Sequence, residues 1–171
     1  RVNPKDLPFF SNLMTGLNNK NFKCPVPITN NQGKTIYSYK EKKLMIVSFL
    51  EGKAKKVLTP NNCEQVGAEV AKMHEITKEF KVKRANDLSI KSWRKLFNLV
   101  KDQCVKIDKN LPKLIETNLV DVEKNWPKNL PSGIIHADLF SDNIFFHNEK
   151  FNGIIDFYFS CNDFYSLEIA I

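Results

Sequence analysis

Ile135-His-Ala-Asp-Leu-Phe-Ser-Asp-Asn-Ile-Phe-Phe146, followed by Gly153-Ile-Ile-Asp-Phe157, is the stretch that decides how this chain folds. Each polar group in it stands at the end of an apolar run. Gly133-Ile-Ile-His136 leads into the first group, and a hairpin of Ile144-Phe-Phe146 and Asn152-Gly-Ile-Ile155 leads to Asp156. The alternation predicts strands that deliver Asp138, Asp142, Asp156 and the Asn143 amide to one edge of a sheet. Carboxylates so close repel one another unless a cation or a proton sits among them. A set made only of oxygen ligands suits Mg²⁺.

The interval from Asp138 to Asn143 is the D-x-x-x-x-N of a kinase catalytic loop, and Asp156 falls where a metal-holding Asp follows it. A lone H-x-D reads more readily as a solvated turn around a buried histidine. The hairpin and the Ile-Ile-Asp-Phe that follow outweigh that reading here. His74, on a helix face, and His147, beside the turn Asn148-Glu-Lys150, read as structural.

Outward from this centre, Asp6 to Lys20 carry Phe9, Phe10, Leu13, Met14 and Leu17 at helical spacing, with Asp6 as the expected N-cap. Pro25-Val-Pro27 ends that helix. Turn chemistry at Asn30-Asn-Gln-Gly33 predicts a hairpin between Val26-Pro-Ile28 and Thr35-Ile-Tyr-Ser-Tyr39, followed by a strand from Lys43 to Leu50. The character then turns helical. Thr59-Pro60 is a helix start, with Val66, Val70, Met73 and His74 on one face. Trp93, Leu96, Phe97, Val100, Cys104 and Ile107 mark a second helix, Leu114, Ile115, Leu119, Val122 and Trp126 a third, and Asp163 to Ile171 a last one. The expectation is an α+β bilobal plan, 1–51 a β-rich lobe with its helix and hinge, 52–171 a mostly helical lobe. Both ends read as cut inside a longer protein.

Composition narrows the function classes. The 171 residues are 42% hydrophobic and 26% charged, which excludes intrinsic disorder and a disulfide-dense secreted module. The longest apolar runs, such as Leu44 to Leu50, fall far short of the ~20 residues that span a bilayer, so no membrane partner is expected. The net charge is +7, yet almost all of it is scattered Lys, with Arg only at positions 1, 84 and 94. Nucleic-acid readers lean on clustered Arg, so none is expected as a partner. Cys24, Cys63, Cys104 and Cys161 lie far apart without a C-x-x-C pair, which predicts thiols in a reducing cytoplasm rather than a zinc site.

With these residues in place, the chain resembles the aminoglycoside phosphotransferase superfamily, of protein-kinase-like fold, and within it the bacterial homoserine kinase branch. The likeness is carried by 135–146 and 153–159, and also by Arg1-Val-Asn-Pro-Lys-Asp-Leu-Pro-Phe-Phe10, Cys24-Pro-Val-Pro27 and Ile46-Val-Ser-Phe-Leu-Glu-Gly52. It is weakest through 85–130. The resemblance implies Asp138 as catalytic base, Asn143 and Asp156 as Mg²⁺ ligands, and His136 as a brace of the loop. It implies that Ser48-Phe-Leu-Glu-Gly52 is the interlobe hinge, with the backbone of Phe49 and Leu50 meeting the adenine of ATP. It also implies transfer of the γ-phosphoryl group to the hydroxyl of L-homoserine, on the way to threonine. An aminoglycoside, choline or other small alcohol is the alternative acceptor. A metal-dependent phosphohydrolase built on His136, Asp138 and Asp156, and a non-catalytic binding module, are the rivals from other classes. Residues 1–171 alone are expected to be inactive, because the strands that would cover the triphosphate are not among them. Glu168 stands where the branch usually has Asp, which weakens any role for that position, though a carboxylate is kept.

Overall fold

The computed structural model describes residues 2–171; Arg1, the first residue of the family-like N-terminal stretch, lies outside them. Helix α1 (Leu7–Asn19) buries Phe9, Phe10, Leu13, Met14 and Leu17, the face expected from their spacing. Its N-terminus differs from expectation. Asp6 has helical backbone and makes no cap hydrogen bond, and the Asn3 side chain instead receives Lys5 N–H one turn earlier. Asp6 is thereby left to pair with Arg84.

The first hairpin joins β1 (Ile36–Tyr39) to β2 (Lys42–Met45), not 26–28 to 35–39 as the turn signal predicts. Lys40 and Glu41 turn the chain with φ of 43° and 61°. The Asn30–Gly33 turn instead closes a short loop, with Asn30 N–H donating to Lys34 O. The Val26–Ile28 segment pairs with the far end of the next run, through Ile28 N–H to Ile46 O and Ser48 N–H to Val26 O.

Gly52, at φ +113°, turns the chain into β3 (Lys53–Ala54), and a Cβ there would stand 2.8 Å from Phe146 O. Helix α2 (Pro60–Thr77) starts on a capping box between Thr59 and Asn62 and buries Val66, Val70 and Met73. Two further helices follow, α3 (Ile90–Cys104) and α4 (Leu111–Asn125), and then strands β4 (Ser132–Ile135), β5 (Ile144–His147), β6 (Lys150–Ile154) and β7 (Cys161–Phe164), with a short α5 (Tyr165–Ala170). The run 163–171 is therefore strand before it is helix.

The strands do not share one sheet edge. Strands β3, β5 and β6 form one antiparallel sheet, and β4 pairs with β7 in another. Contacts run across residue 51, with α1 packed on α2 and Ile154 N–H donating to Lys23 O. One compact unit comprises residues up to Ala85 together with Pro131–Ile171, and the other is Asn86–Leu130. The first holds the main core, where Phe10, Leu17, Phe22, Ile135, Ile154 and Phe157 are essentially sealed from water. The second is α3 and α4, packed through Phe97, Cys104 and Leu119.

Candidate active site

Strand β4 brings buried Ile134 and Ile135 to a fully buried His136. The next residue, Ala137, takes a left-handed backbone at φ 63°. That conformation costs an alanine roughly 1–2 kcal/mol, so something must hold it. The holder is Glu168 on α5. Its Oε1 accepts His136 N–H at 3.0 Å and its Oε2 accepts Ala137 N–H at 2.9 Å, and the residue is 3% exposed. Burial raises its pKa, while the two backbone donors pull the other way. The carboxylate kept at position 168 thus has a structural part in the loop. The longer carboxylate reaches the loop backbone and grips both amides. An acid inside the apolar run Leu167-Glu-Ile-Ala170 was the available signal.

Asp138 follows the grip directly. The Asn143 side-chain N–H₂ donates to Asp138 O at 2.8 Å and to Asp138 Oδ2 at 3.0 Å. Burial raises the Asp138 pKa first, the Asn143 hydrogen bond opposes it, and the charges of Asp156 and Asp142 raise it further. Asn143 also fixes the other strand end, since its carbonyl accepts Ile155 N–H at 2.9 Å. The His136 ring spans the same gap, with Nε2 2.8 Å from Ile155 O. Burial drives the His136 pKa down to about 4, so the ring is neutral at pH 7 and Nε2 carries the hydrogen it donates. Two independent bonds therefore tie the Asp138 loop to the residue before Asp156.

Asp156 has a left-handed backbone, φ 61° and ψ 56°, is exposed, and opens a single turn Phe157–Phe159. The hairpin that presents it is anchored at several points. Phe151 N–H donates to the Gln65 side chain of α2 at 2.8 Å, and Asn152 Nδ2 donates to Glu51 O at 2.9 Å. Gly153 has φ +141°, and a Cβ there would lie 2.6 Å from Lys23 O and 2.8 Å from a Leu50 methyl. Only glycine lets this strand run against the 48–52 segment.

That approach forms a cleft of about 330 Å³, whose walls include Val47, Ser48, Phe49, Leu50, Ile155, Asp156 and Tyr158. Phe49, Leu50 and Asp156 are thus brought together, although 49–50 and 156 are far apart in sequence. Phe49 is 86% exposed, unusual for so large an apolar ring. His136, Asp138 and Asn143 are not on the cleft walls, and they connect to it through Ile155 and Asp156. Three carboxylates do not converge. Among the described residues no group of three His, Cys, Asp or Glu side chains is placed to hold a metal ion. The Asn143 amide is bonded to the Asp138 carboxylate, and the charge of Asp156 is felt at Asp138; these side chains are hard oxygen donors of the kind Mg²⁺ takes alongside water and phosphate.

His74 stacks on Tyr165 with ring centroids 4.2 Å apart, and burial lowers its pKa. His147 ends β5, exposed, before the left-handed Asn148 and Glu149. All four cysteines are thiols, three of them buried, and burial pushes the Cys24 thiol up to about 12. No helix among the described residues is long and apolar enough to cross a membrane.

Comparisons with known proteins identify the family and the fold. The phosphotransferase enzyme family matches residues 1–171. The chain is 42% identical over 170 residues to a homoserine kinase of Mesorhizobium japonicum, covering 99% of this chain and 53% of the relative. It is 40% identical to one of Sinorhizobium medicae and 41% identical to one of Beijerinckia indica, each over the whole of this chain and 52% or 53% of the relative. The chain therefore spans about half the length of the curated relatives it matches. Among solved structures, an amicoumacin kinase bound to AMP-PNP, Ca²⁺ and its drug superposes with a TM-score of 0.71 at 14% identity, over 99% of this chain and 52% of that one. Spectinomycin phosphotransferase with ADP and spectinomycin gives 0.73 at 17% identity, over 96% and 56%. The fold is accordingly the protein-kinase-like one of the aminoglycoside phosphotransferases, present here over about half of its length, and the chain belongs to the phosphotransferase enzyme family.

Proposed function

We propose that the whole protein transfers the γ-phosphoryl group of ATP to the hydroxyl of L-homoserine, giving O-phospho-L-homoserine. The observation that carries the reading is the joining of two sequence-distant motifs. The 48–50 segment and Asp156 face one cleft, and the Asp138–Asn143 pair is bonded to the residue beside Asp156. Relatives near 40% identity along the entire chain bear the name homoserine kinase. In this reading 1–51 and 52–171 are pieces of the two lobes, and the backbone of Phe49 and Leu50 receives the adenine.

Asp138 acts as the base. A primary alcohol is a poor nucleophile until its proton is accepted, and a carboxylate oriented by Asn143 and by the Glu168 grip is aimed for that transfer. The raised Asp138 pKa makes it a better acceptor than an exposed aspartate. His136 stays neutral and holds the loop to Ile155, and so does not compete as a base. Asn143 and Asp156 would hold Mg²⁺, which neutralises phosphate charge when bound. Cytosolic ATP and cysteines that form no disulfide suit the same compartment.

Solved proteins of this fold are named for other acceptors, among them spectinomycin and choline. A polycationic acceptor would favour an acidic surface, and the net charge of +7 speaks against one. The test is ATP consumption by the full-length protein offered L-homoserine, L-serine, choline and kanamycin side by side. Preferred turnover of L-homoserine is expected. Preference for choline or kanamycin would refute the acceptor, and phosphoester hydrolysis without ATP would refute the kinase.

A further inference from the structure

Arg84 lies in the irregular segment after α2, outside every motif discussed so far. Its backbone is stitched beside the strand that follows Asp156. Asn162 N–H donates to Arg84 O at 2.7 Å, Arg84 N–H donates to Asn162 Oδ1 at 2.9 Å, and Ala85 and Asn162 form a parallel bridge. The guanidinium is largely buried and multiply held. Nε donates to Asp6 Oδ2 at 2.9 Å, with side-chain exposures of 14% and 25% for the pair. Its central carbon Cζ lies over the Phe10 ring, 5.3 Å from the ring centre. Nη1 reaches two carbonyls at the end of the Asp156 turn, Ser160 O at 3.3 Å and Phe159 O at 3.4 Å. Ser160 is fully buried, and its hydroxyl donates to His136 O at 3.4 Å. Tyr158, within the same turn, meets the Phe10 ring edge-on at 5.6 Å.

These contacts form one path. Asp6 and Phe10 of the N-terminal segment fix the guanidinium, and the guanidinium fixes the carbonyls that close the turn beginning at left-handed Asp156. Ser160 then ties the same turn to His136 at the start of the Asp138 loop. A left-handed non-glycine residue persists only where its surroundings over-determine it. Asp156 makes no cap hydrogen bond of its own that would do so. The planar fork of arginine can serve a carboxylate and two carbonyls at once, which a lysine ammonium on a flexible stem does less well.

We infer that Arg84 is a positioning residue for Asp156: clamped by Asp6 and Phe10, it holds the Phe157–Ser160 turn so that the Asp156 carboxylate stays aimed into the cleft. The inference rests on the role given to Asp156 above. It adds to that role a dependence on a salt bridge with Asp6, just before the N-terminal helix and not on the cleft walls.

The test uses the full-length protein and the variants Arg84→Lys, Asp6→Asn and Asp156→Ala. Kinetics are read together with amide hydrogen exchange at 156–160, a readout independent of turnover. Arg84→Lys should lower kcat about tenfold or more per folded molecule, leave KM for the acceptor alcohol within about twofold, and speed exchange at 156–160 while α3 and α4 keep the parental rate. Asp6→Asn, which removes only the anchor, should move the same quantities in the same direction by a smaller factor, and it decides the matter if Arg84→Lys does not fold. Parental kcat in the decisive variant with Asp156→Ala inactive would overturn the inference and leave the function standing. A loss of rate matching only the unfolded fraction would also overturn it. Should Asp156→Ala itself keep parental turnover, the reading of the site fails first.

Discussion

The unit that carries the site and the Asn86–Leu130 unit are built on opposite terms. In the first, apolar side chains from α1, α2 and four strands share one core, and each polar loop at its edge has at least two anchors. In the second, only Phe97, Cys104 and Leu119 are buried. Val100 is 46% exposed, Leu114 59% and Ile107 81%, although the spacing assigned these helices continuous apolar faces. Its links include Arg94 forked onto Glu116 and Glu123, Lys101 paired with Glu116, and a Trp93–Trp126 edge contact at 5.2 Å. The contrast separates two uses of similar sequence. Burial and redundant hydrogen bonds hold chemistry in place in one region, while exposed ion pairs add little in the other.

The comparison breaks most readily at the two residues proposed to hold metal. Asn143→Ala and Asp156→Ala in the full-length protein should abolish Mg²⁺-dependent turnover, a loss of several orders of magnitude, while Tm stays near the parent. Asp156 is exposed and Asn143 half-buried, and neither belongs to the buried core. Near-normal activity in either, or a collapse of Tm, would contradict the assignment.

Glu168→Ala should be the costliest of these changes for stability. It leaves the His136 and Ala137 amides without acceptors beside a left-handed alanine, a loss of about 2–4 kcal/mol in chemical denaturation. Glu168→Gln should lose less, because one carboxamide oxygen still accepts. A stability for Glu168→Ala equal to the parent would show that the grip is idle.

His136 makes the acid response of this unit specific. Its pKa is about 4 when folded against an ordinary 6.5, so the unfolded chain binds the proton first as pH falls. The stability it contributes is complete above pH 6.5 and is lost between 6.5 and 4, at about 1.4 kcal/mol per pH unit in mid-range. Glu168 and Asp138, whose pKa values are raised, act in the opposite sense and blunt the loss. His136→Asn should flatten the decline over that window, and NMR titration of the parent should find a neutral ring down to about pH 4.

The smallest effects belong to the helical unit. Leu119→Ala should cost about 2 kcal/mol, the low end for a buried leucine, because its cluster is small. Arg94→Lys should shift Tm less than Leu119→Ala does. The reverse order would mean that ion pairs, not packing, hold α3 to α4.

Local chemistry made much of the first unit legible. The faces of α1 and α2, the Ile144–Ile155 hairpin and the sequence neighbourhood of Asp138, Asn143 and Asp156 all follow from short-range periodicity. Pairing between distant segments did not show. Lys40 and Glu41 make the hairpin turn without a glycine, so the Asn30–Gly33 signal drew the pairing to the wrong partner. Strand β7 was hidden because Cys161-Asn-Asp-Phe164 lacks alternation and is strand only through β4. Glu168 and Arg84 act on backbone atoms, and backbone acceptors and donors leave no mark on side-chain identity at the position they serve. In the helical unit the apolar stripes were real, but a stripe records what a helix could bury, not what a neighbour covers.

The measurement that bears most directly on the account is kcat of Asp138→Asn in the full-length protein, with saturating ATP, Mg²⁺ and L-homoserine. Asparagine keeps the shape and part of the Asn143 contact but cannot accept the hydroxyl proton. General-base contributions of about 10²–10⁴-fold are typical, so kcat should fall by that factor with ATP affinity little changed. A kcat within about threefold of the parent would contradict the central claim that Asp138 is the base of a phosphoryl-transfer site.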